Sequence, residues 1–143
     1  FPDRQNVQPG YAPISLLFNI LKNCFVNLHI ALHNSQFGIN ILGMRIIALS
    51  TLKSFWKDNP GYADAIGPTL VWYRHALKAD WATPSNVKED FKNASILKDG
   101  RVVFNIAGNK YRLVVWINYA YKVIYIRFIG THAQYDKIDV HTI

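Results

Sequence analysis

Hydrophobic positions repeat with a period of two residues in the last third of this chain. Residues 102–106, 110–117 and 123–129 are rich in Val, Ile and aromatic side chains, which predicts three strands. Short polar stretches separate the strands, and Asp99-Gly100 precedes the first of them as a turn signal. We therefore expect three consecutive strands that pair as an antiparallel meander.

A period of three to four residues dominates the preceding part of the chain. Residues 50–59 and 62–79 predict two helices, the second interrupted by a Gly-Pro pair. A third helix is predicted where Asn86 and Glu89 have the spacing of a capping box. The expected apolar face of the second helix consists of Leu70, Tyr73 and Leu77, widened by Val71 and Trp72.

One more strand is predicted before the helices, over residues 44–49. The element order is then β-α-α-(α)-β-β-β, which indicates an α+β fold with an antiparallel sheet and helices packed on one face. Because helices separate the first strand from the meander, we expect this strand at a sheet edge or beside a strand that does not follow it in sequence.

Alternation along the second and third strands of the meander assigns their side chains to two faces of the sheet. The face expected under the helices carries Tyr111, Leu113, Val115, Ile117, Ile124, Ile126 and Phe128. The opposite face carries Lys110, Arg112, Val114, Trp116, Val123, Tyr125, Arg127 and Ile129. On this assignment Arg112 and Arg127 lie together on an exposed, concave side of the sheet.

Groups suited to phosphate chemistry lie in and just after these strands. The planar guanidinium of Arg112 can contact two phosphate oxygens and stabilise a pentavalent phosphorus. His132 and Tyr135 follow the last strand, at a position where loops carry chemistry, and imidazole and phenol groups can transfer protons. Further cations of the same segment are candidates for phosphate contacts: Arg101, Lys110, Arg127 and Lys137.

Each of these residues also has a purely structural interpretation. Arg112 can be an exposed strand cation that aids solubility, His132 a cap on the turn, and Tyr135 a packing aromatic. Asp136 either orients His132 or caps a short terminal helix. We favour the catalytic interpretation because Arg112 belongs to a basic face and the other two residues follow a strand end.

The net charge of the chain narrows the classes of partner. Sixteen Lys and Arg outnumber nine Asp and Glu, which gives a formal charge of +7, and nearly all of the excess follows Met44. A basic domain favours polyanionic partners such as RNA, DNA or an acidic protein. The alternative is that the charge serves solubility alone.

The single methionine, Met44, separates two segments of different composition. Residues 1–43 are rich in Phe, Ile, Asn and Leu and contain few charges. We interpret them as translated upstream DNA or another artefact, or else as a genuine extension. Residues 44–143 are predicted to form the functional domain, which is long enough for one core.

Cysteine content and hydropathy bear on the cellular location of the protein. Cys24 is the one cysteine, which leaves no intrachain disulfide and fits a cytoplasmic protein. Residues 14–32 are apolar but are interrupted by Asn, Lys and His, so we expect no membrane span and no signal peptide. His29 and His33 are four residues apart without a third ligand in sight, so no metal site is expected.

Two motifs resemble a known protein family. The run from Asn109 to Val115 reads NKYRLVV, and the run from Gly130 to Lys137 reads GTHAQYDK. Both resemble the HigB toxins of bacterial toxin–antitoxin modules, which are members of the RelE superfamily. The opening strand, the helix after it and the order of elements are similar too, so the resemblance covers residues 44–143.

The resemblance implies a RelE-like fold and an mRNA interferase, an endoribonuclease that cuts mRNA in the ribosomal A site without a metal or cofactor. It also implies a small cognate antitoxin, HigA-like, that neutralises the toxin. The residues expected to be catalytic are Arg112, His132 and Tyr135, and those expected to bind RNA are Lys110, Arg127, Arg101 and Lys137. A second hypothesis is a non-catalytic RNA-binding or antitoxin-binding module on the same sheet.

Overall fold

A computed structural model describes residues 43–143 of the chain. Its elements in order are β1 (Arg45–Ile47), α1 (Leu49–Asp58), α2 (Ile66–Lys78), α3 (Pro84–Asp90), β2 (Ser95–Ile96), β3 (Arg101–Ile106), β4 (Tyr111–Asn118), β5 (Val123–Thr131) and α4 (His132–Tyr135). Short 3₁₀ segments occur at Pro60–Ala65, Lys98–Gly100 and Ala107–Asn109. The predictions for Cys24, His29, His33 and the segment before Gly43 lie outside the described residues.

The strands form one five-stranded sheet in the order β1-β5-β4-β3-β2. The α+β class and the antiparallel meander of β3, β4 and β5 are confirmed. The expectation of a wholly antiparallel sheet was wrong, because β1 pairs parallel with β5 at one edge. A helical crossover separates β1 from the rest of the sheet, and such a connection allows two strands to run in the same direction.

The strand β2 at the opposite edge was not predicted from the sequence. It contains only Ser95 and Ile96, which pair antiparallel with Val103 and Val102. Two residues are too few to produce a recognisable period, and neither side chain is buried. Only its neighbour in space identifies it as a strand.

Helices α1 and α2 cover one face of the sheet, as expected. The ring of Phe55 in α1 lies 5.6 Å from that of Tyr111, edge to face. Trp72 of α2 lies 5.3 Å from Phe104, and Trp81, which follows α2, lies 6.1 Å from the same ring. These aromatic contacts join the helix layer to β3 and β4, and the rings of Trp72, Trp81, Phe104 and Tyr111 are almost wholly buried.

The buried stripe of α2 differs from the predicted one. It consists of Thr69, Trp72, Tyr73 and Ala76. Val71 is 67% exposed, although it was expected to widen the apolar face. Because α2 is rich in apolar residues, several stripes fit a helical period, and packing against β3 selects the one centred on Trp72.

The start of α3 also differs from prediction. Thr83 is the N-cap and Asn86 is the third helical residue of the capping box, whereas Asn86 had been expected to be the cap itself. Pro84 at the first helical position stabilises this earlier start, because its missing N–H has no helical partner there. At the other end of α3, the carboxylate of Asp90 accepts a hydrogen bond from Trp81 Nε1 (2.8 Å) and lies 3.0 Å from His75 Nε2.

A bulge in β5 reverses part of the predicted alternation. Val114 pairs with Phe128 and Val115 with Ile126, so Arg127 has no partner residue in β4. After this bulge, Ile129 is buried in the core and Phe128 lies on the same side as Arg112, the reverse of the prediction. The core positions of Ile124 and Ile126, before the bulge, are confirmed.

The second face of the sheet is not the open basic surface that was predicted. Val114 lies on this face and is fully buried. Next to it the rings of Trp116 and Tyr125 lie 5.1 Å apart. Arg101 donates from this face to the main-chain oxygens of His141 (2.9 Å) and Ile143 (2.7 Å), so the C-terminal segment contacts the sheet there.

Candidate functional site

The predicted site residues gather at one end of the sheet, where β3 and β5 end and β4 begins. We call this the site end and define it as residues 105–112 and 130–137 together with Asp64. Five of the seven predicted residues belong to it: Lys110, Arg112, His132, Tyr135 and Lys137. Arg127 lies within β5 at the bulge, and Arg101 lies at the opposite end of β3.

We call that opposite end the far end and define it as residues 98–101, 116–123 and 141–143 together with Asp80. The guanidinium of Arg101 donates there to the main-chain oxygens of His141 and Ile143. Arg127 is exposed. The structure therefore does not bring either arginine to the same place as His132.

Arg112 is the second residue of β4 and occupies the middle of the site end. It pairs with Asn105 of β3 on one side and with Gly130 of β5 on the other. Its Nη1 donates a hydrogen bond to the main-chain oxygen of Asn109 at 3.0 Å. This bond engages one of the five N–H donors of a guanidinium and fixes the direction of the side chain.

Gly130, beside Arg112, permits a close approach at the end of β5. A Cβ at this position would collide with Cζ of Phe128 and would lie 2.9 Å from Oε1 of Gln134. A glycine thus lets the Phe128 ring and the Gln134 side chain pack against the strand. This packing places the turn that follows β5 next to Arg112.

His132 is held at that turn by several contacts. A capping box fixes the start of α4: Gln134 N donates to Thr131 Oγ1 (3.2 Å), and Thr131 N donates to Gln134 Oε1 (2.8 Å). The main-chain N–H of His132 donates to the carbonyl of Lys110 at 3.3 Å. The imidazole therefore projects from a fixed turn directly beside the start of β4.

Asp136 orients the ring of His132. Its Oδ2 lies 3.1 Å from Nδ1 of the imidazole, and both side chains are more than half exposed. In the neutral tautomer that carries its proton on Nδ1, the imidazole donates to this carboxylate and Nε2 can accept a proton. Asp136 is also the C-cap residue of α4, so both roles considered for it occur together.

Tyr135 and Lys137 complete the turn. Tyr135 is half-buried and stands three residues after His132, a spacing that places two side chains on neighbouring positions of a helical turn. Lys137 is exposed, and its main-chain N–H donates to the carbonyl of Gln134 at 3.2 Å. The imidazole, the phenol and an ammonium thus follow one another around the same corner.

Sequence reasoning missed Asp64, which joins the site end from the helix layer. One carboxylate oxygen pairs with Lys110 Nζ, and the other accepts a hydrogen bond from Tyr111 Oη at 2.5 Å. The Lys110 ammonium and the Tyr111 hydroxyl hold the pKa of Asp64 below its ordinary value. The two partners are 46 and 47 residues away along the chain, and no local sequence signal indicates this contact.

Tyr111 is itself fixed by an aromatic cluster. Its ring lies 5.6 Å from Phe55 and 5.9 Å from Tyr62, both edge to face, and those two rings stack at 4.8 Å. Burial, followed by the hydrogen bond to Asp64, raises the pKa of the Tyr111 phenol. The hydroxyl consequently stays protonated and acts as a donor to Asp64.

A cavity of about 520 Å³ opens on the β3 side of Arg112. Asn105 and Asn109, which contact Arg112 through the strand register and a hydrogen bond, form part of its wall. Phe91, Asn93 and Phe104 line it as well. Asparagine side chains of this kind can hydrogen-bond the edges of nucleotide bases.

Residues 43–143 contain neither a metal-ligand cluster nor a helix suited to cross a membrane. No group of three or more His, Cys, Asp or Glu in this part of the chain is arranged to hold a metal ion. No helix within the same residues is long and apolar enough to cross a bilayer.

Comparison with known proteins shows the family of this chain. Residues 67–138 match the family HigB_toxin, described as the RelE-like toxic component of a toxin–antitoxin system. The mRNA interferase HigB of Escherichia coli O6:H1 (strain CFT073) is 31% identical over 97 residues, which cover 66% of this chain and 91% of the relative. The chain therefore belongs to the HigB toxin family of RelE-like toxin–antitoxin components.

Proposed function

We propose that this protein is an mRNA interferase that cleaves mRNA on the translating ribosome. The observation that carries the proposal is the register at the site end, where Arg112 pairs with Gly130 and His132 N–H bonds to Lys110. A guanidinium on β4 that can bind phosphate is thereby held next to a proton-transfer group in the turn that follows β5. The relative from Escherichia coli is named an mRNA interferase, which supports the same reaction.

The reaction we propose is an attack of the ribose 2′-OH on the adjacent phosphorus. Nε2 of His132 takes the 2′-OH proton, the 2′-oxygen bonds to phosphorus, and the bond from phosphorus to the 5′-oxygen breaks. Tyr135 supplies the proton that the departing 5′-oxygen needs. The products are a 2′,3′-cyclic phosphate, which water can open to a 3′-phosphate, and a 5′-OH end.

Arg112 provides the charge stabilisation in this mechanism. Its forked donors can contact two non-bridging oxygens, whose negative charge grows as the pentavalent phosphorane forms. The nucleophile comes from the substrate, so the mechanism requires no metal-bound water. We therefore propose that cleavage needs no metal bound to the protein, and that protein stripped with EDTA and then freed of the chelator cuts at the full rate.

RNA binding is proposed to rest on cations around the site end. Lys110 and Lys137 are exposed at the site end, and Arg127 is exposed within β5. Such side chains bind backbone phosphates and contribute affinity that falls with salt. We leave Arg101 out of the proposed RNA surface because its guanidinium already donates to two main-chain oxygens.

The proposed partners and boundaries follow from the family. As a component of a toxin–antitoxin system, the protein is expected to bind a HigA-like antitoxin, and it is expected to act in the cytoplasm, where mRNA is translated. We place the toxin domain at residues 44–143. Pairing of β1 with β5 supports this boundary, since the first strand of the sheet begins at Arg45.

Primer extension on a translated message tests the proposal. The full chain, either untreated or stripped with EDTA and then freed of the chelator, is added to a translating extract and, separately, to the same message without ribosomes. Discrete cuts that require ribosomes and are the same for the two protein samples are the expected result. Retention on ribosomes without any cut would support the alternative, a non-catalytic binding module.

A further inference from the structure

The loop between β3 and β4 has an uncommon backbone conformation. Its residues Ala107, Gly108 and Asn109 have φ angles of +53°, +67° and +116°. Residues other than glycine rarely adopt positive φ, and those that are held there cluster at active sites and ligand sites. In this conformation the carbonyl of Asn109 accepts a hydrogen bond from Arg112 Nη1 at 3.0 Å. The loop therefore anchors the arginine that is proposed to bind phosphate.

The same loop forms one wall of the cavity of about 520 Å³. Gly108 and Asn109 line the cavity from the loop, Asn105 lines it from β3, and Asn93 lines it from the segment after α3. Asn105 pairs directly with Arg112 across the two strands, so both side chains leave the sheet on the same face. Arg112 is thus connected to the cavity wall twice, through the strand register and through its hydrogen bond to Asn109.

The chemistry of this wall favours a polar, uncharged ligand over an anion. The two charged side chains among the described lining residues have opposite signs, Asp90 and Lys92, so their charges offset each other. The other polar side chains among these residues are amides: Asn93, Asn105 and Asn109. An amide presents hydrogen-bond donors and an acceptor in one plane, which matches the edge of a nucleobase. Cavities of roughly 300–1,000 Å³ hold small ligands, so the volume is sufficient for a base.

We propose that this cavity binds the base of a nucleotide that flanks the scissile phosphate, and that Asn105 and Asn109 hydrogen-bond the edge of that base. The inference rests on the proposed function and adds to it residues that select the message sequence. A base and its phosphate are joined through one ribose, so a phosphate held by Arg112 leaves the base next to the cavity. Nδ2 of Asn105 donates to the main-chain oxygen of Asn93 at 3.3 Å, which orients the amide in the wall.

The main alternative ligand is an anion. The ammonium of Lys92 and consecutive main-chain N–H groups of a loop with positive φ are features of phosphate sites. If an anion is the ligand, inorganic phosphate binds in the cavity as a nucleotide does. If the base is the ligand, phosphate alone leaves the cavity unchanged.

Three variants separate base recognition from the fold. Asn105→Ala removes one amide of the wall. Asn109→Gly removes another but keeps the main-chain carbonyl that accepts Arg112, and glycine adopts a φ of +116° readily. The matched control is Asn59→Ala, at the end of α1 and outside the cavity lining. Nδ2 of Asn59 donates to the main-chain oxygen of Phe55 at 3.3 Å, the same length as the bond from Asn105, so both alanine variants lose one such bond.

The first measurement is an NMR titration of the full chain with each of the four nucleoside 5′-monophosphates and, separately, with inorganic phosphate. The side-chain amide signals of Asn105 and Asn109 are expected to shift with at least one nucleotide and not with inorganic phosphate. Affinity for that nucleotide should fall about 10-fold in Asn105→Ala and stay the same in Asn59→Ala. Equal shifts with inorganic phosphate, or no shift with any nucleotide, would overturn the inference.

The second measurement maps the cut positions in translated messages of randomised sequence, with thermal unfolding to confirm the fold of each variant. The parent protein is expected to prefer one base at a position beside the cut. This preference should weaken by about 10-fold or more in Asn105→Ala and Asn109→Gly, and persist in Asn59→Ala. An unchanged preference in both folded cavity variants would overturn the inference while the cleavage proposal stands. If the parent protein cuts no message, the cleavage proposal fails, and the titration alone decides whether the cavity binds a base.

Discussion

The two ends of the sheet can be compared group by group. At the site end an arginine donates to a main-chain oxygen and a lysine pairs with an aspartate: Arg112 to Asn109, and Lys110 with Asp64. The far end repeats the arrangement: Arg101 to His141 and Ile143, and Lys122 with Asp80. Both ends also have a glycine at a close approach, Gly130 and Gly100.

The difference lies in what surrounds these charges. At the far end Arg101 is occupied by two carbonyls, and Trp116 Nε1 donates to the carbonyl of Asp99 at 2.7 Å, so the polar groups bond the protein to itself. At the site end Asp136 holds the imidazole of His132, and a cavity of about 520 Å³ is lined by Asn105 and Asn109, which contact Arg112. Basic residues occur at both ends, so we base the proposed site on the imidazole, the phenol and the cavity that accompany them at the site end alone.

The largest expected effect is a difference in cleavage rate between variants of two histidines, His132 at the site end and His141 at the far end. His132→Gln removes the proposed proton acceptor and should lower the cleavage rate by roughly 10²–10⁴-fold. His141→Gln is the control, because Arg101 contacts the main-chain oxygen of His141 and not its ring. Quantitative primer extension checks both variants, with ribosome co-sedimentation to show that His132→Gln still binds. Equal rates in the two variants would remove His132 from the mechanism.

The next largest effect is a difference between Arg112 and Arg101 in what their substitution changes. Arg112→Ala should reduce cleavage by about 10²–10³-fold, the usual loss on removal of one group that stabilises a developing negative charge. Arg101→Ala should cut near the parental rate and instead unfold at a lower temperature, because it releases the C-terminal segment. Cleavage assays and thermal melts of both variants give the comparison. A reversed pattern would move the phosphate-binding role to the far end.

The sequence predicted the places of Arg112, His132 and Tyr135 in the fold better than it predicted the sheet that supports them. A strand pattern fixes the place of Arg112, and the turn after the last strand fixes those of His132 and Tyr135. Asp64 was missed because its contact with Lys110 depends on how the 3₁₀ segment after α1 packs over the sheet. A contact across 46 residues leaves no trace in a local pattern.

The errors in the faces of the sheet have a similar cause. Alternation was extrapolated through Arg127, whereas the bulge there shifts Phe128 and Ile129 to the opposite faces. The parallel edge strand β1 and the two-residue strand β2 depend on their neighbours in space for identification. Local periodicity therefore predicted the fold class and most of the helices and strands. The pairing register of the strands and the burial of the second face of the sheet depend on tertiary contacts.

A smaller effect distinguishes the two glycines. Substitution of Gly130 should mainly affect cleavage, and substitution of Gly100 should mainly affect stability. At Gly130 an added methyl group displaces the ends of the Phe128 and Gln134 side chains, which loosens the capping box that holds His132. At Gly100 it meets the main-chain oxygen of Ile117 at 2.7 Å, and φ there is +76°. Gly130→Ala should therefore lose more cleavage, and Gly100→Ala more stability, by roughly 1–3 kcal/mol. Cleavage rates and urea unfolding of the two variants test these opposite expectations.

The smallest expected effect concerns the acid stability of the two ion pairs. The pKa of Asp64 is lowered in the folded state by Lys110 and Tyr111, relative to 3.8. Its carboxylate therefore contributes stability that is fully present above about 3.8 and is lost as the pH falls through the lower, folded-state pKa. Asp64→Asn lacks this contribution at every pH. The difference in free energy of unfolding between parent and variant should be small and constant near neutrality, because the pair is exposed, and should shrink at pH values below 3.8.

Asp80→Asn separates this effect from the general consequence of a more positive protein. Both substitutions remove one negative charge from a chain with a net charge of +7, so both change the overall repulsion at low pH in the same direction. Only the Asp64 carboxylate is bonded at once to an ammonium and to a buried phenol. Urea unfolding of the three proteins over a series of acidic pH values isolates that bonded contribution as the part of the Asp64→Asn difference that Asp80→Asn does not share. Identical pH profiles for the two variants would show that the Asp64 contact is no more than a surface ion pair, and the two ends of the sheet would then be equivalent in this respect.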